Sequence, residues 1–181
     1  MILKMGHTLA ENHRASLHMP LAYIGLGANL GDPPRQLRAA LAGIGASDGV
    51  ELVAQSPFYR SAPLGPAAQP DYCNAACAVR TSLPPLDLFA RLLAIERAAG
   101  RVRDGARWGP RTLDLDLLVY EGVVMDTLQL RLPHPEIARR NFVLAPLADL
   151  APDLHIDGQG EVRALLRAAG NDGLARWNDP L

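Results

Sequence analysis

Three observations predict an α+β protein built on a βαββαβ sheet. Four short apolar or alternating stretches have strand length. Two proline-led segments between them carry apolar residues at helical spacing. The two kinds follow one another in the order β-α-β-β-α-β. That order is the ferredoxin-like, or split βαβ, unit, with both helices on one face of the sheet and the other face free for ligands. A C-terminal segment of short helices and loops completes the expected architecture. At 181 residues the chain fits a single domain over 21–181, preceded by a flexible extension over 1–20 that shows no periodicity.

Each element has its own signal. Leu21-Ala-Tyr-Ile-Gly-Leu-Gly27 reads as the first strand. Asp32-Pro33-Pro34 caps a helix with Leu37, Leu41 and Ile44 on one face, closed by a turn over Gly45 to Gly49. Val50 to Tyr59 is expected as the second strand, with Pro57 marking an edge or a bulge. The proline- and glycine-rich run Ser61 to Pro70 is a loop, and Tyr72 to Thr81 is the third strand. Pro84-Pro85 opens the second helix, striped by Leu88, Leu92, Ile95 and Ala99 and closed by Gly100. A fourth strand is expected over Arg111 to Tyr120.

Composition narrows the function. With 18 basic against 19 acidic side chains, the chain lacks the overall positive field of a nucleic-acid coat protein. No apolar run approaches the ~20 residues of a membrane helix, and no apolar signal core follows the start. A cytoplasmic, monomeric protein with no nucleic-acid or membrane partner is expected. Lys4 is the only lysine, the other 17 basic residues being arginine; the guanidinium fork suits phosphate, although an arginine-rich genome gives the same bias. Location says more. Between Arg91 and Arg111 six arginines stand against Glu96 and Asp104, a +4 patch in a nearly neutral chain, suited to an anionic ligand.

The strongest local signal is Arg107-Trp-Gly-Pro-Arg-Thr-Leu-Asp-Leu-Asp-Leu-Leu118. Alternation along a strand puts Asp114 and Asp116 on one face and Leu113, Leu115 and Leu117 on the other. Two like charges on one strand face repel, a cost that a cation removes. Carboxylates ~7 Å apart can hold Mg²⁺, whose shell is finished by water and phosphate oxygens. The flanking arginines 101, 103, 107 and 111 favour this over a merely solvated strand face. There is no GxxxxGK[ST] loop, and Gly25-Leu-Gly27-Ala-Asn29-Leu-Gly31 has Leu30 where a dinucleotide fingerprint needs its third glycine. Gly25 and Gly27 are read instead as thinning the strand where something comes close. Cys73 and Cys77, ~13 Å apart on one strand face, pack the core rather than bridge. Tyr72 and Asn74, on the opposite face, suit a flat heterocycle. His134, between two prolines and ahead of Arg139 and Arg140, is placed for phosphate contact. No Ser/His/Asp or Cys/His nucleophilic set is visible.

Together these segments resemble the 6-hydroxymethyl-7,8-dihydropterin pyrophosphokinase family of folate biosynthesis. The resemblance runs from about Leu21 to Asp157, through Tyr23-Ile-Gly-Leu-Gly-Ala-Asn29, Ser56-Pro-Phe-Tyr-Arg-Ser-Ala-Pro-Leu-Gly-Pro66, Gln69-Pro-Asp-Tyr-Cys-Asn74, Gly100-Arg-Val-Arg103, the Arg107 to Asp116 segment, and His134-Pro with Arg140 and Phe142. It implies transfer of the terminal pyrophosphate of ATP, the co-substrate, to the pterin hydroxymethyl group with release of AMP. Asp114 and Asp116 would hold two Mg²⁺ ions and act in catalysis with Arg101 and Arg111. Glu96, Arg103, Arg107, Trp108, Leu117, His134 and Arg140 would surround ATP. Tyr72 and Phe142 would sandwich the pterin, Asn74 would pair with its edge, and the backbone from Ser61 to Leu64 would add hydrogen bonds. The segment Gly100 to Gly109 would be a closing lid. Asp104 stands where family members often carry a basic residue, and no fused aldolase or synthase domain fits in the remaining length. Two competing readings stay open: an oligonucleotide-binding module, marked by salt-sensitive binding, and a DxD-type nucleotidyl or glycosyl transferase without pterin preference.

Overall fold

The computed structural model describes residues 19–63, 69–101 and 109–178. The extension and the proposed lid therefore fall largely outside the described residues, as do Leu64, Arg103, Arg107 and Trp108.

Strand β1 (Leu21–Ala28) leads into α1 (Pro33–Gly45), whose first turn is closed by Asp32 accepting from the Arg35 N–H at 3.1 Å. Strands β2 (Val50–Gln55), β3 (Tyr59–Ser61) and β4 (Tyr72–Thr81) precede α2 (Pro85–Ala98) and β5 (Asp114–Tyr120). After a small hairpin of β6 (Met125–Asp126) and β7 (Arg131–Leu132) come a short 3₁₀ turn and α3 (Asn141–Leu150). A second hairpin, β8 (His155–Ile156) and β9 (Gly160–Glu161), then α4 (Val162–Ala169) and β10 (Leu174–Arg176), end the described chain. The main sheet is antiparallel, in the order β10-β3-β4-β1-β5, with β2 also paired to β4.

The expected mixed α+β architecture is present, with three differences in detail. The strand expected over Val50 to Tyr59 is two. Pro57 has no N–H for the ladder, and Ser56 takes over by giving its N–H to Ala76 O and accepting the Ala76 N–H on Oγ, both at 2.9 Å. The fourth strand begins at Asp114 rather than Arg111, because the Arg111 carbonyl is turned to accept the N–H groups of Asn29 and Leu30. Strand β10 extends the sheet beyond β3, which the sequence did not announce.

Two apolar layers hold the sheet. On one face Ile24, Cys77, Leu115 and Leu117 meet Leu37, Leu41 and Ile44 of α1 and Leu88 and Leu92 of α2. Cys73 and Cys77 belong to this layer, and burial pushes both thiols up to about 12, so they are inert packing groups. The other face is not free along its whole length. Tyr23, Ala78, Leu118 and Val119 are covered by Leu144 and Leu147 of α3, with Ile137, Ile156 and Val162. A slip in the β1–β5 ladder between Tyr23 and Ile24 turns Leu118 and Val119 to this side together, while Tyr120 returns to the helix side. The covered half lies at one end of β1, β4 and β5. At the other end the same face is open and carries Gly25, Gly27, Tyr72, Asn74, Asp114 and Asp116.

Candidate active site

The open half-face forms the floor of a cleft of about 270 Å³. Strand pairing sets its layout. Asp116 lies opposite Gly25 and Asp114 opposite Gly27, while Gly27 on its other side lies opposite Asn74. One row across the sheet therefore reads Asp114, Gly27, Asn74, putting a carboxylate and an amide two strand spacings, about 10 Å, apart. Gly25 and Gly27 leave β1 without side chains beside the carboxylates. A Cβ on Gly27 would sit 3.5 Å from Asn74 Oδ1 and 4.0 Å from the Tyr72 ring, and one on Gly25 would touch Leu118 at 3.4 Å. Any side chain there would fill the space beside the carboxylates.

The anionic end gathers Asp114, Asp116, Arg111, His134 and Arg140. Asp114 is not exposed to the cleft as a bare charge, because Oδ1 accepts from Arg101 and Oδ2 from Arg111. Asp116 is less compensated. Burial, then the Asp114 charge, raise its carboxyl to about 6, against the pull of Arg140, Arg111 and Arg101. Two carboxylates on one strand face, one of them destabilised as an anion chiefly by burial, fit a hard divalent cation that completes its shell with phosphate and water. Among the described residues no group of three or more His, Cys, Asp or Glu side chains gathers, as an all-protein cage would need. His134 Nδ1 accepts the Glu136 N–H at 3.2 Å, which leaves the proton on Nε2. Burial and Arg140 hold its pKa below the usual range, so a neutral imidazole is offered as a donor.

The aromatic end is made by Tyr72, Asn74, Phe142 and Ser61. Asn74 is 5% exposed and gives one N–H to Ser61 Oγ at 2.9 Å, which fixes the amide orientation and leaves its carbonyl oxygen toward Gly27. The Tyr72 hydroxyl donates to Gly109 O at 3.1 Å, holding the ring upright at the cleft.

Two residues that the resemblance placed around the nucleotide have no side chain in the cleft. Leu117 is 1% exposed in the helix-side layer. Glu96 is buried between α2 and β5, accepting the Leu115 N–H at 2.8 Å and the Arg101 guanidinium. Through Arg101 it reaches Asp114. Asn29, the last residue of the Tyr23 to Asn29 motif, has no role assigned from sequence. It is 2% exposed, accepts the Arg111 N–H at 2.7 Å, and donates to Gln69 Oε1 at 3.3 Å and Pro70 O at 3.2 Å. It thus ties the arginine end to the segment leading into Tyr72. The only signal available in sequence was a polar residue at the end of an apolar strand.

Replacing Asn74 by alanine should weaken binding of a flat heterocycle by about 1–3 kcal/mol, by leaving ring-edge groups unpaired, with affinity for a nucleoside triphosphate analogue intact. Calorimetry showing equal losses for both would mean that β4 itself is disturbed.

Comparison with known proteins gives the family. A family described as 7,8-dihydro-6-hydroxymethylpterin-pyrophosphokinase (HPPK) matches residues 23–152. A 2-amino-4-hydroxy-6-hydroxymethyldihydropteridine pyrophosphokinase of Pseudomonas aeruginosa is 48% identical over 154 residues, covering 85% of this chain and 94% of that protein. Its namesake in Methylorubrum extorquens is 44% identical over 158 residues, covering 87% and 99%. Among solved structures, an HPPK-DHPS in complex with substrates superposes with a TM-score of 0.62 at 12% identity. It covers 83% of this chain but 43% of that one, so the chain spans less than half the length of that protein; at this identity the likeness concerns the fold.

Proposed function

The chain belongs to the 7,8-dihydro-6-hydroxymethylpterin-pyrophosphokinase family, and we propose from that footing that its cleft transfers pyrophosphate from ATP to 6-hydroxymethyl-7,8-dihydropterin, a step of folate biosynthesis that releases AMP. The observation that carries the reading is the row Asp114, Gly27, Asn74. It supports taking the Asp114 end for phosphate and the Asn74 end for a flat ring, two strand spacings or ~10 Å apart. The strand order β5-β1-β4-β2, with α1 and α2 on one face, supports taking the core as the ferredoxin-like unit.

Arg111, Arg140 and Arg101 answer the phosphate charge, and His134 adds a neutral Nε2–H donor. Asp114 and Asp116 would hold two Mg²⁺ ions, which when bound mask phosphate charge and favour ionisation of the attacking hydroxyl. Tyr72 and Phe142 take the pterin ring between them, and Asn74, with Ser61 behind it, pairs with its edge. In-line attack on the β-phosphorus asks these residues for position and charge neutralisation, the reacting atoms being held about 3–3.5 Å apart. No side chain is assigned as general base. The working enzyme is taken as a cytoplasmic monomer; among the described residues no helix is long and apolar enough to cross a membrane.

The test is incubation with ATP, Mg²⁺ and the hydroxymethyl pterin, scored for nucleotide product. AMP with a pterin diphosphate is expected. ADP, or no pterin-dependent turnover, would overturn the assignment.

A further inference from the structure

The family match ends at residue 152, yet the sheet continues through β10. Strand β3, which carries Ser61, is only three residues long. It pairs with β4 on one side, Tyr59 to Asn74 and Ser61 to Tyr72, and with β10 on the other, Tyr59 to Arg176 and Ser61 to Leu174. The Trp177 N–H continues the second ladder to Phe58 O at 2.8 Å. Without β10 this short segment would be an edge held from one side.

A compact cluster reinforces the pairing. The Tyr59 hydroxyl donates to Asp149 Oδ2 at 2.6 Å, and Arg176 Nη2 donates to Asp149 Oδ1 at 3.0 Å. The Arg176 guanidinium lies 4.6 Å over the Tyr59 ring, and that of Arg60 lies 4.8 Å over Trp177. Tyr59 is 8% exposed, and burial with the Asp149 bond pushes its hydroxyl up to about 12, so it remains a donor.

The cluster joins two elements that face each other across the aromatic end of the cleft. Asp149 stands on α3 two turns beyond Phe142, while Tyr59 stands on β3 two residues before Ser61. We propose that Tyr59, Asp149 and Arg176, with β10 behind them, are positioning residues for pterin recognition. They set the gap between Phe142 and the Tyr72–Asn74 face, and they hold Ser61 where its oxygen orients the Asn74 amide. The proposal rests on the pterin reading above. It adds to it a specificity contribution from the C-terminal strand, none of whose residues lines the cleft.

Three variants test it: Tyr59→Phe, Asp149→Ala, and a chain ending at Gly173. Circular dichroism and thermal melting establish folding, and steady-state kinetics give KM for each substrate. For Asp149→Ala and the shortened chain, the pterin KM should rise about 5- to 20-fold, with kcat and the affinity for a non-hydrolysable ATP analogue little changed. Tyr59→Phe keeps the ring and should show a smaller rise in the same parameter. An unchanged pterin KM in the folded variants would overturn the proposal. So would parallel losses for pterin and nucleotide, or failure of Tyr59→Phe to fold, each of which marks a role in the fold at large. Absence of pterin-dependent AMP formation by the unaltered protein would instead defeat the functional reading on which this one stands.

Discussion

Asp116→Asn is expected to lower pyrophosphoryl transfer by about a thousandfold while raising the melting temperature of the metal-free protein above pH 6. The two effects have one origin. Asp116 is held on a half-covered sheet face beside Asp114, and its carboxyl titrates near 6 instead of about 3.9. Between those values the folded chain binds a proton that the unfolded chain has lost. Stability therefore falls as pH rises through this window, and the cost is complete above it. The asparagine variant never ionises, so the two proteins should melt alike near pH 4 and diverge by pH 7. The gap should be on the order of 1–2 kcal/mol after solvent screening at the cleft. Melting in Mg²⁺ with an ATP analogue should stabilise the native protein and leave the variant nearly unmoved. A variant less stable than the native protein at pH 7 would show that the Asp116 carboxylate serves the fold.

Glu96→Ala should cause the largest loss of stability among the residues considered, about 3 kcal/mol, or roughly 6–12 °C in Tm. The side chain is 2% exposed, and its Arg101 partner 12%. One carboxylate oxygen covers the Leu115 N–H on the open edge of β5 and pairs with the guanidinium that also holds Asp114. Truncation leaves a buried donor unsatisfied and a buried cation half compensated. Glu96→Gln, which keeps an acceptor for Leu115 but loses the charge, should fall between the two. An alanine variant within 1 kcal/mol of the native protein by denaturant unfolding would mean that water or a neighbouring group replaces the carboxylate.

What was legible in the sequence was whatever repeats at short range. The alternation of Leu and Asp before Leu118 placed both carboxylates on one face because strand geometry has a period of two residues. Asp32-Pro33-Pro34 marked the start of α1 because a cap and an N1 proline act locally. The same reasoning could not foresee β10. Leu174-Ala-Arg176 is too short to alternate, and its partner lies more than a hundred residues earlier. Asn29 was opaque for a similar reason, since its hydrogen bonds join segments near residues 70 and 111. The arginine patch is more nearly paired than its local count suggests. Counting charge between Arg91 and Arg111 stops short of Asp114, which engages two of those arginines.

That engagement makes Asp114 and the two arginines a closed circuit of charge. On the reading proposed above, a cation at Asp114 would compete with Arg101 and Arg111, and a phosphate at either arginine would compete with Asp114. Each by itself would cost Asp114 or an arginine a partner, although Arg101 would keep Glu96. Arriving together they would exchange partners, and nothing would be stranded. Whatever affinity the nucleotide gains from the cation, the cation gains equally from the nucleotide, because linkage between two binding events is reciprocal. On the same reading, a site wired in this way would favour the two ligands together over either alone, through the arginines' attachment to Asp114.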